Sequence, residues 1–520
     1  MQTNNLYNYI SCQTYREVIC VNFKIDKDVI ILKSCIFIAV LIFICGVFFQ
    51  QQFEAGTGYL MNFISNKMSW FYNLLMIMFF IFCIWMFFGK FRNIKLGDDD
   101  SKPEFSNISW FCMLFSAGVG IGLIFWGIAE PLTHYLKPSG IEGGTEAAKI
   151  FAFKKVFLHW GISAWSCYCF LALALAYMHF RRKKPLLVSS LLIPLIGEER
   201  ATGLIGKVID IFTIFATISG IITSLGMGTL QINSGLNYLF NIPETRTVQF
   251  TIIAVITVLF LLSACTGINK GIKCLSNLNM FFAVVLLFFT MIIGPFGDMV
   301  KNLLQGAFHY GAALITENNN IFAKGDWYSK WTLFYWGWWI AWAPFVAIFI
   351  AKVSKGRTIK EFIMGVLCIP TGFSMIWFTV FGTIGINAPT NIATKAINTV
   401  ETTFFVIFKE YPMGTAICLL AVLLLFSFFI TSADSATYVL AMIASNGKNP
   451  KNSVKIVLGI IQSALTIVLL FAGGLTMVQN ASILMALPFG IIMLLVLFSL
   501  VKELYSAEEV YEGNVVIKNN

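Results

Sequence analysis

Long apolar runs alternate with short polar ones along almost the whole chain. A window of about 19 residues finds twelve runs of membrane-crossing length. They lie near 29–49, 67–89, 107–129, 156–179, 204–229, 247–266, 275–296, 330–351, 362–385, 412–443, 454–473 and 480–501. A helix needs about 20 mostly apolar residues to span the hydrocarbon layer, so the pattern predicts an all-α polytopic membrane protein with 12 transmembrane helices. The run 412–443 is long for one straight span and is expected to start or end outside the bilayer. The run 297–316 is weakly apolar with a helical period, the pattern of a helix lying flat at the interface. Residues 1–28 are polar and lack a short apolar core followed by a cleavage site, so a retained first span is expected.

Composition agrees with this reading. Of 520 residues, 58% are hydrophobic and 12% charged, against about 25% charged in soluble domains, and the mean hydropathy is +0.78. The twelve cysteines sit mostly inside apolar runs without CxxC or His-rich spacing. They read as core thiols, not as a zinc site or a disulfide framework.

The net charge of +10 carries topology before it carries any hint of nucleic acid. Basic residues gather in "KFRNIK" at 90–95, "RRKK" at 181–184, "INKGIK" at 268–273, "KVSKGRTIK" at 352–360 and "NGKNPKNSVK" at 446–455. The opposite loops are sparser in Lys and Arg, so the basic loops are expected in the cytoplasm. An even span number then puts both termini there, in a multi-pass protein of the cell inner membrane. The division that follows is a cytoplasmic segment 1–28, two leading helices 29–106, spans 3–7 over 107–296, a periplasmic interfacial helix and loop 297–329, spans 8–12 over 330–501, and a tail 502–520. That tail has Lys502 and Lys518 against Glu503, Glu508, Glu509 and Glu512, and reads as a short acidic, frayed terminus.

One span is chemically unusual. "WTLFYWGWWIAWAPF", Trp331 to Phe345, holds five tryptophans in twelve residues. Trp331 suits an aromatic belt at the membrane surface. Trp338, Trp339 and Trp342 lie mid-span, and Trp338, Trp342, Phe345 and Phe349 follow i, i+4, i+7, i+11 on one face. Span 4 adds Trp160, Trp165 and Tyr168 in "HWGISAWSCYCF". Two such clusters can build a box of ring faces, which suits a quaternary ammonium group with no N–H to donate. No acidic residue occurs between 331 and 351, as that chemistry allows. Ordinary helix packing is the plain alternative for each cluster taken alone.

Span 3 contains "SAGVGIGLIFWG", Ser116 to Gly127, with Gly118, Gly120 and Gly122 close together. A nucleotide-binding reading fails because no strand precedes it. Close helix packing is one reading. The other is a locally unwound helix whose backbone groups hold an ion or a carboxylate, with Gly337 and Pro344 interrupting span 8 at the corresponding place of a second five-span set. Span 10 holds a polar knot, Thr431, Ser432, Asp434 and Ser435, in "FFITSADSATYVL". Hydroxyls there and carbonyls freed in span 3 would form a hard-oxygen cage suited to Na⁺. Asp434 would serve as counter-charge or as a cap on broken backbone, and Glu130, at the outer end of span 3, reads as structural.

The stretches "AGVGIGLIFWGIAEP", "HWGISAWSCY", "SLGMGTLQINSGL", "LSNLNM", "WTLFYWGWWIAWAPFVAIFIAKVSKGRTIKEFI" and "FFITSADS" resemble the betaine/carnitine/choline transporter family over about 107–445. The resemblance implies a five-plus-five inverted-repeat (LeuT-like) fold with two extra N-terminal helices, and a homotrimer. It matches Trp160, Trp165, Tyr168 and Trp339 to an aromatic box, with Trp338 and Trp342 as further cation-binding positions. It matches the carbonyls of Ser116, Val119 and Phe428 and the hydroxyls of Thr431 and Ser432 to a sodium site. Thr217 and Phe345 match part of a second sodium site, from which the chain departs at Ile221, where sodium-coupled betaine carriers have a hydroxyl.

Gly122 stands where proton-coupled choline carriers resemble this pattern with an aspartate, and no Lys or Arg occurs between 274 and 296, where sodium-independent carnitine exchangers carry an arginine. Both favour Na⁺-coupled import of a trimethylammonium zwitterion such as glycine betaine. No cofactor is expected beyond Na⁺ as coupling ion, and no partner beyond the small-molecule substrate, membrane lipids and further copies of the chain. The alternatives are a proton-coupled choline or carnitine transporter, a non-transporting membrane sensor, for which no signalling module is present, and a membrane enzyme. The four histidines, none paired in sequence, argue against the enzyme.

Overall fold

The computed structural model describes residues 30–518 apart from 119, 267–268, 317–320 and 324, and leaves the side chains of 115–118, 269–274, 315 and 507–518 undescribed. No strand occurs among the described residues; Lys95 and Thr358 form a single isolated bridge. Without water in the bilayer core, each backbone N–H and C=O needs a partner inside its own segment, which leaves the α-helix for an apolar chain like this one. Among the described residues, ten helices are long and apolar enough to cross a membrane. The chain is thus an all-α, multi-pass membrane protein.

The order is α1 Ile30–Phe48, α2 Gln50–Phe63, α3 Ser69–Phe88, α4 Asn107–Gly118, α5 Ile121–Leu136, α6 Glu146–Trp160, α7 Ile162–Ala176, α8 Leu204–Phe240, α9 Arg246–Thr266, α10 Asn269–Ile293, α11 Phe296–Thr316, α12 Phe334–Val353, α13 Ile359–Ile386, α14 Gly414–Ala444 and α15 Asn452–Lys518, with short helical turns between. The stretch after the first span, which reads as a loop, is helical instead. α2 has no buried residue and runs into α3 through a wide turn at Ile64–Met68.

The interruptions fall partly where the sequence places them. Span 3 is divided into α4 and α5, with Gly120 extended between them. Span 8 is not interrupted: α12 runs unbroken through Gly337 and Pro344. Proline forfeits one backbone hydrogen bond, and the tight packing around it holds the helix on course. Gly337 acts by contact, since a β-carbon there would stand 2.8 Å from the Ile483 backbone. The second break is in span 4, at Gly161 between α6 and α7. A β-carbon on Gly161 would meet the Phe157 carbonyl at 2.3 Å and the Tyr310 hydroxyl at 2.6 Å. Span 10 is the continuous helix α14, so Asp434 caps no broken backbone.

Four of the basic loops, those at 90–95, 181–184, 352–360 and 446–455, meet at one end of the molecule. Leu96 donates its N–H to the Arg357 carbonyl, Arg181 pairs with Asp99, and Lys352 and Lys455 both lie over the Tyr438 ring. α15 starts and finishes at this end. Near its start, Asn452 donates to the Cys265 carbonyl; near its finish, Glu503 pairs with Arg182 and Tyr505 packs on Trp85 and Phe91. Its middle reaches the far end, where Gln50 donates to the Ala472 carbonyl at 3.1 Å. It therefore reverses at Gly473 and Gly474, both non-helical, with Gly474 at φ 60°. That left-handed conformation suits glycine.

α11 lies across α6 and α13. Asn302 donates to Thr383 at 2.9 Å, and Gly306 fits against Phe153 and Phe157. Phe296, Val300, Leu304 and Phe308, four apart, are exposed on its other side, the stripe an interfacial helix turns to lipid. Inside, α8 packs on α14 and α15, α12 on α7 and α15, and α5 on α6 and α13. The two breaks, at Gly120 and Gly161, face this inner set.

Candidate functional site

A cavity of about 200 Å³ lies between α5, α6, α7, α8, α10, α12 and α14. Trp160, Tyr168, Trp338, Trp339 and Trp342 wall one part of it; Asn279, Thr431 and Ser432 line another, and none of the described residues lining it is charged.

The break at Gly161 lets one segment present aromatics from two helices. Trp160 ends α6, while Trp165 and Tyr168 ride on α7. α12 supplies the facing indoles. Trp160 and Trp339 meet at 5.3 Å between ring centroids and 87° between planes, and Tyr168 and Trp339 at 5.1 Å and 69°. Trp160 and Trp338 stand at 6.0 Å and 87°. Edge-on pairs turn faces in different directions, so the rings form walls and not a stack. Trp165 does not line the cavity. It packs behind Tyr168 at 5.5 Å and Trp339 at 6.4 Å.

Each wall is held from behind. Trp339 donates its indole N–H to the His159 carbonyl at 2.9 Å, and Trp342 donates to the Ser224 hydroxyl at 3.1 Å. Trp160 donates to Glu130 Oε2 at 2.8 Å, and the Tyr335 hydroxyl donates to the same oxygen. His159 Nδ1 lies 2.7 Å from Glu130 Oε1, and His134 Nε2 lies 3.4 Å from it. Glu130, His134 and His159 are fully buried, with ligand atoms within 4.8 Å of one another. The geometry would admit a metal ion, but both carboxylate oxygens are already occupied by donors.

Gly120, Ile121 and Gly122 border the cavity at the start of α5. The first N–H groups of a helix have no partner within it, and that end attracts anions. Gly122 is required sterically, since a β-carbon there would stand 2.7 Å from the Trp338 ring and 2.9 Å from that of Trp160.

In the polar part, Thr431 Oγ1 donates to the Ser427 carbonyl at 3.0 Å and receives the Asn279 amide at 3.3 Å. Phe428 and Ser432 border the same space. Val119 lies outside the described residues, as do the side chains of Ser116 and Gly118. Phe345 lines the cavity, but Thr217 does not: it is buried in α8 with its hydroxyl on the Thr213 carbonyl at 2.8 Å, one turn from buried Ile221. Asp434 turns away toward α9, accepting from Ser263 at 3.2 Å.

Two residues go beyond the sequence reading. Asn279 borders the cavity with its Oδ1 buried and unpartnered; an amide inside an apolar run was the available signal. Glu130, read as structural, is the hub behind the box. A lone acid in an apolar run and a histidine next to Trp160 pointed toward it, but their meeting is a matter of tertiary packing.

Residues 29–509 match a family described as BCCT, betaine/carnitine/choline family transporter. The chain is 46% identical over 457 residues to the glycine betaine transporter OpuD of Bacillus subtilis (strain 168), covering 85% of this chain and 88% of the relative. It is 40% identical over 496 residues to a probable glycine betaine transporter of Desulfitobacterium hafniense (strain Y51), covering 93% and 99%. It is 37% identical over 482 residues to an ectoine/hydroxyectoine transporter of Virgibacillus pantothenticus, covering 91% and 96%.

Proposed function

Because the chain belongs to the betaine/carnitine/choline transporter family, a secondary carrier of betaine-like solutes and not an enzyme, we propose that it imports glycine betaine together with Na⁺. The observation that carries the substrate is the uncharged aromatic box. Trp160, Tyr168, Trp338 and Trp339 border one cavity in which no acid or base stands among the described residues. A trimethylammonium group has no N–H to give and is satisfied by ring faces. Its carboxylate would take the N–H groups of Gly120, Ile121 and Gly122 at the start of α5. Two relatives are named for glycine betaine.

Thr431, Ser432 and the Phe428 carbonyl, completed by Ser116 and Val119, would hold the Na⁺. Hydroxyl and carbonyl oxygens suit a hard cation, and the break in span 3 frees carbonyls close to them. Bound Na⁺ would fix the end of α4 against α14 and so favour the state that takes substrate. Thr217 and Phe345 make a weaker second site, since Ile221, one turn from Thr217, brings no hydroxyl. Gly122 disfavours the proton-coupled choline reading, because an aspartate side chain would collide with two indoles.

Twelve spans would result if the α4–α5 pair makes one crossing and the reversal of α15 adds another to the ten long helices. In this reading spans 3–7 and 8–12 form the inverted repeats, the basic end faces the cytoplasm with both termini, the protein sits in the cell inner membrane, and three copies assemble. The test is uptake of radiolabelled glycine betaine into proteoliposomes under separate Na⁺ and proton gradients, with choline, carnitine and ectoine as competitors. A Na⁺ gradient should drive uptake. Equal uptake on a proton gradient without Na⁺ would overturn the coupling, and preference for choline would overturn the substrate.

A further inference from the structure

Trp160 is the one wall of the box whose indole N–H is spent on a charged group. Trp339 donates to a neutral carbonyl, Trp342 to a hydroxyl, and Trp338 Nε1 has no partner. The Trp160 N–H instead meets Glu130 Oε2 at 2.8 Å, in surroundings fully closed to solvent. Glu130 also receives the Tyr335 hydroxyl and faces His159 Nδ1 at 2.7 Å. Both oxygens of Glu130 face donor groups, the arrangement that suits the acceptor-only, ionised carboxylate.

An indole that donates to an anion is polarised: electron density moves from the N–H into the ring. The ring face turned to the cavity becomes more negative, and cation–π attraction is electrostatic. Low local dielectric strengthens the donor–anion bond and its effect on the ring. The same unit sets geometry. His159 holds Glu130 with its ring and Trp339 with its carbonyl, so the Glu130–His159 pair fixes two walls together.

We propose that Glu130 is a positioning and affinity-setting residue for the quaternary ammonium group: a counter-charge held out of the cavity and delivered through the Trp160 ring. This rests on reading the cavity as a trimethylammonium site. The carboxylate never touches the ligand, which leaves the cavity free of charge that primary amines or metal ions would exploit.

The test compares two ligands of one shape, glycine betaine and its uncharged-head carbon isostere 3,3-dimethylbutanoate, as competitors for binding to the purified full chain. The ratio of their affinities reads the cationic part of recognition. Wild type should favour betaine strongly. Glu130→Gln keeps the shape and should shrink that ratio roughly tenfold, the order of a partly lost cation–π contact, with isostere affinity little changed. Glu130→Asp, which keeps the charge, should retain most of the ratio. Equal weakening of both ligands in Glu130→Gln would mean a purely structural role and overturn the proposal, as would an unchanged ratio. Where Glu130→Gln fails to fold, Trp160→Phe carries the test: its ring has no N–H for the carboxylate, and a ratio equal to that of wild type overturns the proposal. A wild type that does not favour betaine over the isostere overturns the trimethylammonium reading itself, an outcome distinct from the others.

Discussion

Gly122 lies directly beneath Trp338: a β-carbon on it would stand 2.7 Å from the far edge of that indole, and 2.9 Å from Trp160. The atoms in the way belong to rings packed on Tyr335 and Phe334, so they cannot swing aside at little cost. Gly122→Ala should therefore distort two walls at once. Overpacking a tight site costs about 1–3 kcal/mol, so betaine affinity should fall about tenfold or more while the protein still folds. Titration by intrinsic tryptophan fluorescence measures this. Unchanged affinity would show that the rings yield freely.

The box itself predicts an order of effects. Trp339 touches Trp160, Trp165 and Tyr168 and borders the cavity. Trp339→Ala should cost about 2 kcal/mol or more of binding, the worth of a desolvated cation–π contact. Trp165 stands behind the wall, so Trp165→Ala should lower thermal stability more than affinity, by the few kcal/mol typical of a large core truncation. Trp165→Phe should recover much of both. A Trp165→Ala protein as stable as wild type but unable to bind betaine would place that ring in the cavity.

Much of this site was legible because the relevant signals are local. Trp338, Trp342 and Phe345 declare a common face by spacing, and hydroxyls at 431 and 432 stand out in an apolar run. The break at Gly161 was not legible, since one glycine in an apolar helix looks the same whether it packs closely or ends the helix. What requires a glycine there is partly tertiary: Tyr310, from a helix about 150 residues away, fills the space a β-carbon would need. The expected break at Pro344 failed for the converse reason: packing on α7 and α15 holds α12 together. Where Thr217 points was not legible either, because a hydroxyl in sequence does not say which way it turns; here it turns to its own helix, which supplies the acceptor.

The hydroxyl cage makes a separate prediction about ions. Thr431→Ala combined with Ser432→Ala removes two oxygens facing the cavity and leaves the aromatic walls intact. Half-maximal uptake should then need much higher Na⁺, at least tenfold, with the betaine affinity at saturating Na⁺ changed far less. Asn279→Ala should shift the Na⁺ dependence in the same direction, because its amide supports Thr431 at 3.3 Å and its free Oδ1 borders the same space. Uptake by the double variant with the Na⁺ dependence of wild type would remove these oxygens from the ion path.

The C-terminal segment is better ordered than an acidic, frayed tail implies, and its contacts divide it. Helix α15 continues past the last span, and Glu503, nearly buried, pairs with Arg182. Tyr505 packs on Trp85 at 6.4 Å and Phe91 at 5.4 Å, with the Lys90 ammonium 4.6 Å from its ring. Residues 502–506 thus tie α15 to two basic loops. Beyond them, Glu508, Glu509 and Glu512 outnumber Lys518, and an acidic stretch is repelled by anionic headgroups, where each Lys or Arg would gain about 1 kcal/mol. Truncation after Ser506 should accordingly leave both the melting temperature and the osmolality profile of betaine uptake nearly unchanged. Truncation after Val501 removes the ion pair and the ring contacts, and should lower the melting temperature by a few degrees, since an aromatic pair is worth about 0.5–1.5 kcal/mol and an ion pair at the surface, with the arginine side exposed, about 0–1. Uptake into proteoliposomes across a range of external osmolality, with thermal melts of each protein, distinguishes the two cuts. An activation profile that is steep in the full chain and flat after truncation at Ser506 would make the outer segment a sensor, and would mean that its acidic face answers to protein and not to lipid.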